Sequence, residues 1–243
     1  MSGTTVDLRR ELSELYSAKR VPAFVDVPEL PFLMIDGHGD PNTAPAYAEA
    51  VQALYAVAYT IRFALKRRAE AVDARVMPLE GQWWTPDMAT FSTDDKAQWN
   101  WTMMIVLPEQ ATPQVVDDAR AAAARKHPRA PLDRVRLERF AEGRCAQVLH
   151  VGPYSEEGPT VAALHAFIAA NGCTLTGRHH EIYLGDPRRT APGRLRTILR
   201  QPVAPADSTR RTVPAIDRSA TADFGAVSDT HRKPSEGPPR VPP

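Results

Sequence analysis

Apolar positions recur at spacings of three and four in four stretches of the chain, and at spacings of two in several others. The clearest helical stripe runs through residues 45–68. Tyr47, Val51, Leu54, Ala58, Ile61 and Leu65 fall there on one face, as a helix packed against a sheet requires. Leu8, Leu12, Leu15 and Tyr16 predict a shorter helix over 6–18, with Asp7 suited to the positive end of its dipole. Thr112 followed by Pro113 reads as an N-cap and a first-turn proline, and the run Arg125-Lys126-His127-Pro128 ends that helix. Val161, Leu164 and Ile168 place a fourth helix after the Gly152-Pro153-Tyr154-Ser155 turn, stopped by Asn171-Gly172. Strands are predicted at 32–35, 75–84, 99–107, 135–140, 144–151, 179–184 and 195–200, with loops at 37–42 and 85–98.

In order, each half of the chain reads strand, Gly/Pro turn, helix, strand, strand. The predicted fold class is α+β, with duplicated strand-helix-strand-strand modules, antiparallel sheets, a pseudo-twofold cleft and a short N-terminal helix. The duplication rests on the order of patterns, since the halves share little residue identity. Residues 1–31 are expected to form the N-terminal helix and an arm kept extended by Pro22, Pro28 and Pro31. One domain is expected over 32–203, its halves being about 32–130 and 131–203. Residues 202–243 carry eight prolines and no apolar periodicity. Such a segment buries too little surface to offset its ordering entropy, so a disordered tail is expected over 204–243.

Charge narrows the function classes. Among 243 residues, 30 basic and 29 acidic side chains leave a net charge of +1, without the clustered basic excess of a nucleic-acid-binding surface. The run Lys66-Arg67-Arg68 ends a predicted helix, where cations oppose the dipole. Cys145 and Cys173 form no C-x-x-C pair and suit a reducing compartment. The first 20 residues hold no apolar signal core, and no run approaches the roughly 20 apolar residues that span a bilayer. A cytoplasmic protein without a membrane partner is expected. Neither a P-loop, a complete G-x-G-x-x-G nor a G-x-S-x-G elbow is present, so no cofactor is expected. No metal is expected either, because the adjacent His179 and His180 of one strand point to opposite faces.

Candidate chemistry gathers on strands. His179, Glu181 and Tyr183 share one face of theirs, while His180, Ile182 and Leu184 take the other and are expected to pack on a helix. A carboxylate beside a phenol is either part of a half-exposed sheet or a buried acid in need of a partner. Glu80, Gln82 and Trp84 likewise share a face, with Gly81 leaving room for close approach. Pseudosymmetry makes Glu80 the expected counterpart of Glu181, with Trp83 in the core and Trp84 in the cleft. Trp99 and Trp101 suit either a cleft wall or packing against a helix. Glu156 and Glu157 open a helix, where the dipole stabilises a negative charge by about 0.3–1 kcal/mol.

Five segments stand out in order: VPELPFLMIDGHGDPN at 27–42, PLEGQWW at 78–84, HVGPYSEE at 150–157, HHEIYLGDPR at 179–188 and TILRQPV at 197–203. Together they resemble the stand-alone branch of the GyrI-like small-molecule-binding family across residues 8–203. The resemblance implies two related modules enclosing a cleft for bulky, flat or cationic compounds. Some members of that family carry DNA-binding helices, and one binds DNA gyrase. The branch most similar to this sequence hydrolyses cyclopropane-bearing cyclohexadienones, which are DNA-alkylating antibiotics. For this chain the resemblance implies detoxification by cofactor-independent hydrolysis, a form of antibiotic resistance. Glu181, Tyr183, Trp84 and Glu157 are then the catalytic candidates, and Glu80, Trp101, Tyr154 and His179 the ligand contacts. Multidrug sequestration or sensing without catalysis is the alternative. About 30 residues precede the first predicted strand, too few for a helix-turn-helix domain. Direct DNA control is therefore not expected, while a homodimer and a contact with gyrase stay open.

Overall fold

The structure, a computed structural model, describes residues 7–67, 75–86 and 96–206; the expected tail lies almost wholly outside them. Helix α1 (Leu8–Glu11) is shorter than its apolar spacing predicts. Asp7 caps it by accepting from the Arg10 backbone N–H at 3.3 Å. The chain then turns out of the helix and buries Leu15 and Tyr16. Strand β1 (Ala23–His38) starts at Ala23 rather than at residue 32, so the arm is itself sheet. Pro28, which has no N–H to give, is the one position between Ala23 and Met34 with no partner in the ladder to the next module.

Helix α2 (Pro45–Lys66) buries the predicted stripe from Tyr47 to Leu65 and starts with a proline in its first turn. Strands β2 (Glu80–Trp84) and β3 (Asn100–Val106) follow. Helix α3 (Pro113–Lys126) is capped by the Thr112 hydroxyl, which accepts from the Val115 N–H. Strand β4 (Arg136–Val151) is continuous where two short strands were predicted, because Gly143 takes the bend within it at φ +74°. Helix α4 (Gly158–Ala170) and strands β5 (Cys173–Leu175), β6 (His179–Tyr183) and β7 (Arg196–Pro205) complete the described chain. Among the described residues no helix is long and apolar enough to cross a membrane.

The strands pair in the order β4–β1–β3–β2–β6–β7, and β4 pairs again with β7, closing an antiparallel barrel to which β5 adds along the end of β7. That order carries the duplication. The modules β1–α2–β2–β3 and β4–α4–β6–β7 exchange by swapping β1 with β4, β2 with β6 and β3 with β7. Both joints between them, β1–β4 and β2–β6, pair a strand with its own counterpart, as a twofold relation requires. Helix α2 covers β1 and β3 with α3 against it, and α4 covers β4 and β5.

Closure gives each strand an outer face toward helices and an inner face toward the barrel. His180 and Ile182 therefore face inward, and do not pack on a helix as expected. Directly paired residues point to one side, so the registers trace inward rungs. One is Met34–Met104–Glu80–Ile182–Ile198–Leu149, apolar except for Glu80. The next, Asp36–Thr102–Gln82–His180–Arg200–Gln147, is polar at every position.

Buried charges in this interior are paired. His180 Nδ1 lies 3.0 Å from Glu142 Oε1 and His180 Nε2 lies 3.1 Å from Glu80 Oε2. Arg200 Nη1 is 3.4 Å from Glu142 Oε2, and its Nε and Nη2 donate to Gln147 Oε1. The N-terminal segment closes this end: Tyr16 Oη donates to Glu80 Oε1, and the Leu15 carbonyl accepts from Arg200 Nη2, each at 2.5 Å. Burial alone would lower the His180 pKa, but Glu142 and Glu80 override it and hold it up at about 9. Burial would raise Glu142, yet His180 and Arg200 keep it below the ordinary carboxylate value.

On the outer face, the Trp101 indole lies flat across Gly37, its cross-strand partner, and a Cβ at Gly37 would meet the ring at 2.0 Å. Gly37→Ala is expected to cost about 1–3 kcal/mol or more, read as a lower denaturation midpoint. An unchanged midpoint would show that the ring moves freely aside.

Candidate functional site

The outward face of β6 presents His179, Glu181 and Tyr183. Here α2 from the first module and the turn before α4 from the second approach the same strand. Tyr183 meets Tyr154 edge-to-face, ring centroids 5.7 Å apart. Tyr47 reaches over from α2, stacked with Trp83 at 6.0 Å and edge-on to Trp101 at 5.3 Å. Tyr47, Tyr154 and Tyr183 line a cavity of about 830 Å³, which Tyr55 and Tyr59 of α2 and Leu79 extend. Asp186 and Arg188 pair twice at its rim, both contacts at 3.1 Å.

Two acids, Glu157 and Glu181, act by their charges on these tyrosines but are not themselves among the residues lining the cavity. Glu157 immediately precedes α4, yet it makes no side-chain cap bond to that helix. It is buried, and its Oε1 has no hydrogen-bond partner among the described residues. Burial and then the Glu181 charge push the Glu157 pKa well up, which Thr197 and Lys96 only partly offset. Burial and the neighbouring Glu181 charge thus favour the neutral, protonated form of Glu157. His179 Nε2 stands 3.5 Å from Glu181 Oε1. Burial, followed by Glu181, also raises Tyr183 and Tyr154, and Tyr47 in the same order. These phenols stay protonated, which leaves each with a hydrogen to donate.

A buried acid with a raised pKa contributes stability below its ordinary value of 4.5, and that contribution is lost as pH rises through the folded value. Glu157→Gln, neutral at every pH, is expected to match the parent in acid and to exceed it in alkaline buffer. The gain is about 2–4 °C in Tm for each kcal/mol recovered. A Tm difference independent of pH would overturn the protonated assignment.

The candidates named from sequence separate into three groups. Glu181, Tyr183, Tyr154, Glu157 and His179 come together on the outer face. Glu80 and Trp84 lie on the inner face: Gly81, not Glu80, is the cross-strand neighbour of Glu181, and Glu80 is bound to Tyr16 and His180. Trp84 stacks under Arg178, whose guanidinium carbon is 3.5 Å from the ring centroid. Trp101 is fully buried against Gly37 and Tyr47, a core residue without access to the cavity. The expected Glu80–Glu181 equivalence does not hold, because Glu80 points into the barrel and Glu181 out of it, and a twofold relation keeps a residue on its own side of the sheet. Sequence reasoning missed Tyr47, Tyr55 and Tyr59. Tyr47 falls on the core stripe itself, and Tyr55 and Tyr59 sit one turn apart on the stripe's edge, where a phenol tip facing a cavity leaves no periodic signature.

Comparison with known proteins adds the following. The family model described as the GyrI-like small molecule binding domain matches residues 21–204. An uncharacterised conserved protein from Listeria innocua is 42% identical, with TM-score 0.77, over 82% of this chain and 100% of its own. A hydrolase from Listeria innocua is 40% identical, with TM-score 0.75, over 83% of this chain and 100% of its own. A further crystal structure, also of a hydrolase from Listeria innocua, is 40% identical with TM-score 0.72, covering 82% and 100%. Among curated proteins nothing matches.

Proposed function

The chain belongs to the family of GyrI-like small molecule binding domains, and from that premise we propose that it adds water to a strained, electrophilic small molecule held in the tyrosine-walled cavity. The substrate class is a cyclopropane-bearing cyclohexadienone, the two rings sharing one carbon. One observation carries this reading: the partly buried Glu181 stands beside the buried Glu157, and its charge acts on Glu157 and on the tyrosines that line the cavity. The similarity to hydrolases at 40% identity supports the reaction type.

The step balances without a cofactor. A water oxygen attacks the cyclopropane methylene while Glu181 takes one of its protons. The bond from that methylene to the dienone's ring carbon breaks, and its electron pair passes into the dienone, which becomes a phenolate. Tyr154 or Tyr183 donates a hydrogen bond to the oxygen where that charge collects, and the phenolate is then protonated as Glu181 releases its proton. The neutral form of Glu157 keeps a second negative charge away from Glu181 while water is activated. General-base help contributes about 10²–10⁴-fold, and holding the water against the ring adds the benefit of orientation. Release of ring strain lowers the barrier further.

The test is incubation of the protein with such compounds in ¹⁸O-labelled water, followed by mass spectrometry. A ring-opened product carrying one labelled oxygen is expected. No adduct above the buffer control, across several such compounds, would end the catalytic reading. Tight binding with the compound recovered intact would favour sequestration, for which the aromatic walls are equally suited.

A further inference from the structure

A second cavity of about 830 Å³ opens on the inner face of the sheet, at the barrel end away from the Tyr16 plug. Its floor is the polar rung at Asp36, Thr102 and Gln82. The next rung outward, His38–Asn100–Trp84, forms a wall. A barrel interior is filled at least cost by apolar side chains, so inward polar residues beside an open cavity are suited to meeting something polar. The cavity shares no lining residue with the tyrosine-walled one.

Charge at this mouth is uneven. Arg136 is held between Asp36 and Glu138, at 2.9 and 2.7 Å. The Thr102 hydroxyl donates to Asp36, and Arg134 donates to the Asp36 carbonyl at 2.5 Å. Glu142 is engaged by His180 and Arg200. Arg178 has no carboxylate partner among the described residues. It lies over the Trp84 ring, and its Nη1 donates only to the neutral oxygens of Gln82 and Thr102, at 3.3 and 3.2 Å. Three arginines thus face two carboxylates not already engaged from below, leaving one positive charge and a free guanidinium edge at Nη2 and Nε. Phe140 and Met34 supply apolar wall on the same cavity.

We propose that the barrel mouth is a second ligand site for a flat organic monoanion, of the aromatic carboxylate class. Its carboxylate meets the free edge of Arg178, and its ring lies against Phe140 and Met34. The single excess charge selects a monoanion over a phosphate dianion, and the fixed fork on Trp84 suits a planar carboxylate. This site is independent of the hydrolytic reading and would stand without it.

The probe is 2-naphthoate, titrated calorimetrically into the full chain beside its neutral analogue 2-naphthamide. Naphthoate is expected to bind at least about tenfold more tightly, the range of one charge-assisted hydrogen bond. Arg178→Gln should abolish that preference, and Glu181→Gln should leave it intact. If Arg178→Gln does not fold, Arg178→Lys serves, since it keeps the charge but loses the fork and should weaken naphthoate several-fold. Equal binding of acid and amide, full affinity after either Arg178 substitution, or loss of naphthoate binding in Glu181→Gln would each overturn the assignment. Absence of naphthoate binding at millimolar concentration would do so as well.

Discussion

Arg200→Met is expected to destabilise the chain by about 3–5 kcal/mol, the usual result of removing one partner from a buried charge cluster. Arg200 is 2% exposed. Its loss leaves the Leu15 carbonyl and Gln147 Oε1 without their donor and leaves Glu142 with His180 alone. Methionine retains most of the volume, so the effect reports charge and hydrogen bonding rather than a cavity. The readout is a denaturation midpoint at constant m-value. The double variant Arg200→Met/Glu142→Gln is expected to recover part of the loss, since it removes the stranded carboxylate as well. A single variant within about 1 kcal/mol of the parent would show that the cluster contributes little.

The same cluster sets a pH dependence. The folded His180 pKa of about 9 exceeds its ordinary 6.5, so its contribution is complete below 6.5 and is lost as pH rises through 9. Glu142 is held below its ordinary 4.5, so its contribution is complete above that value and is lost as pH falls through the folded value. The cluster is therefore most stabilising between about 4.5 and 6.5. Glu157 loses stability on the alkaline side too, and combining Glu157→Gln with pH titration separates the two contributions.

Glu181→Gln is expected to lower turnover by about 10²–10⁴-fold, the range of general-base assistance, with little change in midpoint. Gln keeps the size and the hydrogen-bonding reach of the side chain but cannot accept the water proton. It also removes the charge that helps raise Glu157, so the alkaline loss of stability should flatten at the same time. That paired response separates a proton acceptor from a side chain that merely shapes the cavity. Unchanged turnover in Glu181→Gln would remove Glu181 from the mechanism, whatever happens to the ligand cavity.

How far the chain could be read without coordinates differs from element to element. The α2 stripe, the Thr112 cap and the start of β6 follow from local periodicity, and each forms within a few residues of its predicted bounds. Helix α1 falls short because Leu15 and Tyr16 have a better burial partner in the barrel end than on a continued helix face. Strand β1 extends into the proline-rich arm because β4 offers pairing there that no local pattern announces. Five of the eight named site candidates gather at one place, and those five lie on β6 or on the turn before α4, where face and order are local properties. Glu80, Trp84 and Trp101 depend on which strand pairs with which, and in what register.

Residue order alone determined the two modules, the helices with their caps, and the sharing of one strand face by His179, Glu181 and Tyr183. Only the tertiary structure decided that the sheet closes on itself and that Gly81 sits across from Glu181. It alone turned His180 inward to Glu80 and Glu142 and laid Trp101 on Gly37. The division has a physical cause. The alternation of a strand depends on its own backbone, so it is written in adjacent residues. Register and closure depend on contacts between residues distant in the chain, and shifting one strand by a single position moves every side chain on it to the opposite face.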